Sequence, residues 1–96
     1  MELHHIGMAG TLESSDLQIT VSPADSDITF DLQSDVKKQF GEQIQETVRD
    51  VLSKYDITKA NVQIVDKGAL DLVIRARTAA AVERALDMND INWEAL

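Results

Sequence analysis

Residues 34–55, SDVKKQFGEQIQETVRDVLSKY, are the stretch whose pattern decides the fold. Val36, Phe40, Ile44, Val48, Val51, Leu52 and Tyr55 recur at three- and four-residue spacing, with mostly polar residues between them. On a helix of about 3.6 residues per turn this spacing draws one apolar stripe, so the segment reads as an amphipathic helix ending near Tyr55. Ser34 or Asp35 can cap its start by accepting a hydrogen bond from an orphan amide of the first turn. Gly41 lies inside it and weakens it by about 1 kcal/mol relative to alanine. A single stripe must be buried against another element, and the flanking sequence offers strands.

On the N-terminal side, Ile6, Met8, Gly10 and Leu12 alternate with small or polar residues, as do Leu17, Ile19 and Val21. Period-2 alternation marks strands with one buried face. Glu13-Ser14-Ser15-Asp16 between them favours a turn, which places Ser14 at or near a hairpin tip. Ser22 to Asp27 contains Pro23 and reads as a loop. Ile28, Phe30 and Leu32 then give a third strand, and three antiparallel strands in sequence are the simplest arrangement. On the C-terminal side, Asn61 to Val65 reads as a strand with Val62 and Ile64 on one face. Asp66-Lys67-Gly68 reads as a turn, where Gly68 can take a positive φ. Leu70, Leu72, Ile74 and Ala76 alternate again, which predicts a second hairpin. Thr78 is a fair N-cap for a short helix from Ala79 to about Asp87, with Val82 and Leu86 on one side. Met88 to Leu96 shows no period, and Trp93 there reads as a residue that docks the tail.

The predicted order is βββαββα. The fold class is α+β, a two-layer sandwich of a mainly antiparallel sheet with one long and one short helix. Residues 1–96 read as a single domain, a length that supports one modest core. Phe40, Ile44 and Val48 are expected to pack against Ile19, Phe30, Ile64 and Ile74.

Charge narrows the function classes. The net charge is −8, and no lysine or arginine precedes Lys37. Glu2, Glu13, Asp16, Asp25, Asp27, Asp31 and Asp35 lie in that first part, which leaves ten of the 17 acids to face the nine bases of the remainder. An acidic half lacks the basic stripe of a nucleic-acid binder and disfavours an anionic membrane. A basic patch on a protein partner is its natural complement. The absence of cysteine excludes a disulfide, a thiolate nucleophile and a zinc–thiolate site. No stretch has the apolar length of a membrane span, and the N-terminus lacks the features of a signal peptide, so the expected compartment is the cytoplasm.

No constellation of catalytic residues or metal ligands emerges. His4 and His5 are adjacent, so on a strand they point to opposite faces and read as surface residues. Glu13 and Asp16 flank Ser14 and read as a solvated acidic rim with ordinary acidity, or as a recognition element for a basic enzyme. Arg75 and Arg77 share one face of their strand, with Asp71 nearby, and read as exposed and salt-bridged; phosphate binding is the functional alternative. Ser14, taken locally, is a turn serine without the glycine elbow of a hydrolase.

Four segments together give Ser14 a sharper meaning. Ala9-Gly10-Thr11-Leu12-Glu13-Ser14, Lys38-Gln39-Phe40-Gly41, the run Asp66-Lys67-Gly68-Ala69-Leu70-Asp71 with Arg75-Ala76-Arg77, and the final Trp93-Glu94 resemble the citrate lyase acyl carrier family (gamma chain) over almost the whole chain. The resemblance implies a non-catalytic subunit whose Ser14 carries 2'-(5''-phosphoribosyl)-3'-dephospho-coenzyme A through a phosphodiester. It further implies acetyl and citryl thioesters on that arm, in the cleavage of citrate to acetate and oxaloacetate. The implied partners are the transferase (alpha) and lyase (beta) subunits and the holo-carrier synthase, a phosphoribosyl-dephospho-coenzyme A transferase. In one respect the sequence departs from the family pattern: the residue after the modified serine is commonly glycine, and here it is Ser15. The alternatives are the carrier of malonate decarboxylase and, from another class, an unmodified acidic interaction module.

Overall fold

The computed structural model describes residues 2–34 and 38–87. Four strands, β1 (Gly7–Gly10), β2 (Leu17–Ser22), β3 (Ile28–Ser34) and β4 (Ala60–Asp66), form one sheet, and two helices, α1 (Lys38–Lys54) and α2 (Asp71–Ala85), cover one face of it. The class is α+β with a two-layer arrangement. The strand order is β1-β2-β4-β3, with β1–β2 and β2–β4 antiparallel and β3–β4 parallel. Asp35 and Val36, read as a capping alternative and the start of the helical stripe, and Trp93 lie outside the described residues.

Two parts of the expected topology are corrected. First, β3 does not extend a meander from β2. It leads through α1 into β4, and strands joined by a helical crossover run parallel, so β4 inserts between β2 and β3. Second, the run from Leu70 to Ala76 is not a strand and makes no second hairpin with β4; Leu70 is the extended N-cap of α2, and Asp71 to Ala76 open the helix. The alternation there is coincidental. Leu70 and Leu72 are 74% and 72% exposed, whereas Ile74, Thr78, Ala81, Val82 and Ala85 are buried at helical spacing. Thr78 accordingly is no N-cap: it is buried within the helix, and its hydroxyl donates to the Ile74 carbonyl at 2.7 Å.

The buried face follows the alternation in β2 and β4, where Leu17, Ile19, Val21, Ala60, Val62 and Ile64 point at the helices. Ile28, Phe30 and Leu32 of β3 are partly buried on the same side, and the Arg49 guanidinium of α1 lies 4.9 Å from the Phe30 ring centre. In α1, Ile44, Val48, Val51 and Leu52 fill the core, and Tyr55 follows them into it just past the helix end. Phe40 does not fill the core as expected; it is 45% exposed. It sits in the first described turn of α1, at a shallow groove of about 240 Å³ shared with Ala69 and Leu70, where no described element covers it.

In β1 the expected face is reversed. Ile6, Met8 and Leu12 are exposed, and Gly7 and Ala9 point inward. The cause is the proximity of α2. A Cβ on Gly7 would lie 2.0 Å from the Ala81 carbonyl oxygen and 2.7 Å from the Ala85 amide nitrogen, so helix backbone occupies the space a side chain would need. The main-chain amides of His4 and His5 donate to the Ala85 carbonyl at 3.2 and 3.1 Å, and Arg84 Nη1 donates to the Met8 carbonyl, holding the same two segments together.

Gly7→Ala should therefore lower stability in urea denaturation by about 3 kcal/mol, because backbone must separate to admit one methyl. Phe40→Ala should cost about 1–2 kcal/mol, well under the 3–5 kcal/mol of a fully buried phenylalanine. A smaller loss for Gly7→Ala than for Phe40→Ala would show that helix and strand are not packed this closely.

Candidate functional site: the Ser14 turn

β1 ends at Gly10, whose φ of +93° and close approach to the Leu17 carbonyl both exclude a side chain and bend the chain out of the sheet. The connection to β2 then spans Thr11 to Asp16. Its last four residues close a turn in which the Asp16 amide donates to the Glu13 carbonyl at 3.2 Å. Ser14 and Ser15 are the central residues of that turn, and both are exposed. Among the described residues the Ser14 hydroxyl makes no hydrogen bond, so its oxygen is presented to solvent. Ser15 has a φ of +65°, the left-handed region that glycine occupies without cost. A turn that needs a positive φ at this point gives a physical reason for glycine after the serine in the family pattern.

The turn is not a loose rim. The Ser15 amide donates to the Lys67 carbonyl at 2.8 Å, and the Lys67 amide donates to the Asp16 carbonyl at 2.9 Å. The expected Asp66-Lys67-Gly68 turn is present, with Gly68 at a φ of +89°. Its start is fixed by Asp66, a buried carboxylate that accepts from the Ser34 hydroxyl and from the Ala69 amide, each at 3.0 Å. The ends of β2, β3 and β4 therefore meet beneath the serine.

Asp16 corrects the reading of a solvated acidic rim. Its carboxylate accepts four hydrogen bonds: from Arg77 Nε at 3.0 Å and Nη2 at 2.9 Å, from the Thr11 hydroxyl at 2.6 Å and from the Leu17 amide at 2.8 Å. The Arg77 fork, then Thr11, hold its pKa down to about 2, against a weaker opposing effect of burial. Thr11 in turn accepts from the Glu13 amide at 3.2 Å.

Arg75 and Arg77 do not share a face. Two residues apart on a helix they point about 200° around its axis. Arg77 reaches the Ser14 turn, and Arg75 reaches α1, where it pairs with Asp50 at 2.6 Å and with Asp71 at 3.0 Å. These bonds lower the pKa values of Asp50 and Asp71 and raise that of Arg75. His4 and His5 are exposed as expected, and His5 Nε2 lies 2.5 Å from Asp87 Oδ2, far along the molecule from the turn. Among the described residues no three histidine, aspartate or glutamate side chains gather into a metal-binding group, and no helix is long and apolar enough to cross a membrane.

Residues 5–85 match the ACP family model described as malonate decarboxylase delta subunit (MdcD). The citrate lyase acyl carrier protein of Lactococcus lactis subsp. lactis (strain IL1403) is 60% identical over 96 residues, covering all of both chains. That of Weissella paramesenteroides is 58% identical over 97 residues, again covering both chains in full, and that of Haemophilus influenzae (strain 86-028NP) is 54% identical over all of this chain and 99% of its own. The chain belongs to the citrate lyase acyl carrier protein family. As a member, it is a non-catalytic carrier subunit. In fold, the carrier is similar to a chain in the crystal structure of a Pseudomonas malonate decarboxylase hetero-tetramer in complex with malonate, with a TM-score of 0.72, 18% identity and 88% of each chain covered.

The sequence reading, which places Asp16 on a solvated rim, names neither of its side-chain partners. Thr11 and Asp16 flank the turn closely enough to suggest a brace, but Arg77 lies 61 residues away and no local pattern pairs it with Asp16.

Two outcomes test this geometry. Asp16 has a lowered pKa in the folded chain, so its contribution to stability is full above its unfolded value of 3.8 and is lost as pH falls through about 2. The stability gap between the native sequence and Asp16→Asn, on the order of 1–2 kcal/mol at pH 6 after allowing for solvent screening at the part-exposed Arg77, should close between about pH 4 and pH 2. A gap independent of pH would exclude the ion pair. At the next position, Ser15→Gly should hold or raise stability by up to about 1 kcal/mol, and Ser15→Val should lower it by about 1–2 kcal/mol, since only the second forces a branched side chain into the left-handed region. Equal effects in urea titrations would mean that residue 15 does not take a positive φ.

Proposed function

We propose that this chain is the acyl carrier subunit of citrate lyase, and that Ser14 is the attachment point of its 2'-(5''-phosphoribosyl)-3'-dephospho-coenzyme A arm. The observation that carries the assignment to Ser14 is its unpartnered, exposed hydroxyl at the first central position of a braced turn. Attachment demands just that: a reachable oxygen on a support that does not yield. Ser14 contributes the oxygen that forms the new bond to phosphorus. The holo-carrier synthase supplies the base that takes its proton and binds the triphosphate donor, from which pyrophosphate leaves. When bound, the arm supplies a thiol that holds acetyl and citryl groups as thioesters during conversion of citrate to acetate and oxaloacetate.

The chain's own residues mount and present the arm. The serine sits at the tip of a β1–β2 connection whose strands belong to the sheet and whose turn is tied to α2. A tether fixed at one end keeps its free end at high local concentration at the active sites of the transferase and lyase subunits in turn. Arg77 and Arg75 are already paired with Asp16, Asp50 and Asp71, so these two guanidinium groups are not free to hold an anionic arm. Citrate lyase is favoured over malonate decarboxylase because the full-length relatives at 51–60% identity carry the citrate lyase name, whereas the malonate decarboxylase chain shares the fold at 18% identity.

Co-expression with the synthase should add the mass of the arm to the native chain and to Ser15→Ala, and add nothing to Ser14→Ala. Ser14→Ala should also fold with a stability within about 0.5 kcal/mol of native, as exposed turn substitutions do. Peptide mass spectrometry that finds the arm on Ser14→Ala, or misses it only on Ser15→Ala, would move the site by one residue.

A further inference from the structure

Between the exposed serine and the rigid core stands a side-chain cluster that takes no part in the bond-forming step itself: Thr11, Asp16 and Arg77. The four-residue polar turn is closed by one 3.2 Å bond and tied to Lys67 by two main-chain bonds, but it carries a non-glycine residue at positive φ, and none of those bonds reaches α2. Ordering such a turn costs backbone entropy at each of its residues. The Asp16 carboxylate meets that cost. Its donors include two groups anchored outside the turn, the Leu17 amide in β2 and the Arg77 fork on α2, and a third from within the connection, the Thr11 hydroxyl. Arg77 is flanked in the helix by buried Thr78, and the next turn places Ala81 against β1, so its backbone cannot follow the turn if the turn moves. A two-pronged guanidinium–carboxylate pair fixes orientation as well as distance. One prong uses Nε, which lysine lacks.

We infer that the Asp16–Arg77 pair positions Ser14 for attachment of the prosthetic group, with Arg77 a positioning residue that acts through the turn and never touches the reacting atoms. This rests on Ser14 being the attachment site. A synthase must bring the serine oxygen and the donor phosphorus into line at near-contact distance, and a pre-ordered turn removes that ordering from the enzyme's task. If only a fraction of free carrier holds the competent turn, the apparent affinity of the synthase for it falls by that fraction, while the rate from the bound complex does not. The signature of positioning is therefore a raised KM for the carrier with kcat preserved.

The experiment measures synthase steady-state kinetics against carrier concentration, and amide hydrogen exchange, for full-length native, Arg77→Ala, Arg77→Lys and Asp16→Asn carriers. Arg77→Ala and Asp16→Asn should raise KM about tenfold or more with kcat within about twofold, and Arg77→Lys should lie nearer to Arg77→Ala than to native. Ser15 and Lys67 amides should exchange about tenfold faster or more in these variants, with Ile19 and Ile64 amides unchanged as reporters of the intact sheet. Native KM in Arg77→Ala alongside faster Ser15 exchange overturns the inference, because the turn is then loosened without consequence. Restoration of KM by sucrose, which favours compact states generally, also overturns it by showing that only the folded fraction was affected. Should Arg77→Ala fail to fold, native exchange decides: a Ser15 amide as fast as in an unstructured peptide rules out a clamp, and a protected one that is released in Asp16→Asn supports it. Peptide mass spectrometry of the native product separates the two readings. An arm outside residues 13–16 overturns the attachment site and this inference together, whereas an arm on Ser14 with native kinetics in Arg77→Ala overturns the inference alone.

Discussion

Helix α2 lies so close to β1 that the strand has no room for a side chain at Gly7, where a Cβ would fall 2.0 Å from the Ala81 carbonyl oxygen. Much else follows from that contact. It requires small residues on the facing side of the helix, and Ala79, Ala81 and Ala85 are buried there or nearby. It turns the larger side chains of β1 outward. It brings the C-terminal carbonyl of α2 within reach of the His4 and His5 amides, and Arg84 within reach of the Met8 carbonyl, so a helix end and a sheet edge satisfy each other's main-chain groups. With the helix seated in this way, its residue 77 faces the end of β1, where the chain leaves the sheet for the serine turn.

On the proposed attachment at Ser14, the carrier combines a stiff base with a mobile payload. A tether gains from flexibility in the arm, but flexibility at the mount would spread the same arm over orientations that reach no active site. Two strands, a turn closed on itself, two main-chain bonds to Lys67 and one forked ion pair supply the stiffness. Among the described residues no side chain is hydrogen-bonded to the Ser14 hydroxyl.

Charge works at two ranges in this molecule. At short range, most of the cations of α2 are committed: Arg75 to Asp50 and Asp71, which staple α2 to α1, and Arg77 to Asp16. At longer range the uncompensated acids of the N-terminal part give the surface its negative sign, and salt limits their reach to about 8 Å. The open face of the sheet is polar along β2 and β4, with Gln18, Thr20, Asn61 and Gln63 outward, and exposes Met8 on β1 beside them.

The sequence by itself determined what depends on local period and local chemistry. The apolar stripe of α1 from Ile44 to Tyr55, the inward faces of β2, β3 and β4, the turn at Gly68 and the turn that exposes Ser14 all follow from residues a few positions apart. The family likewise was legible in four short segments. What only the tertiary structure decided are the features set by which element lies against which. Leu70 to Ala76 alternates like a strand, yet it joins Thr78 to Ala85 in one helix because Ile74, Thr78, Ala81 and Ala85 find a sheet to cover. β1 shows larger side chains at Ile6 and Met8, yet buries Gly7 and Ala9, because burial there is limited by helix backbone and not by hydrophobicity. Phe40 carries the stripe past the point where any described element lies over it. Asp16 reads as one more surface acid until α2 brings Arg77 across 61 residues of chain, since a hydrogen bond depends on distance in space and a sequence records only distance along the chain.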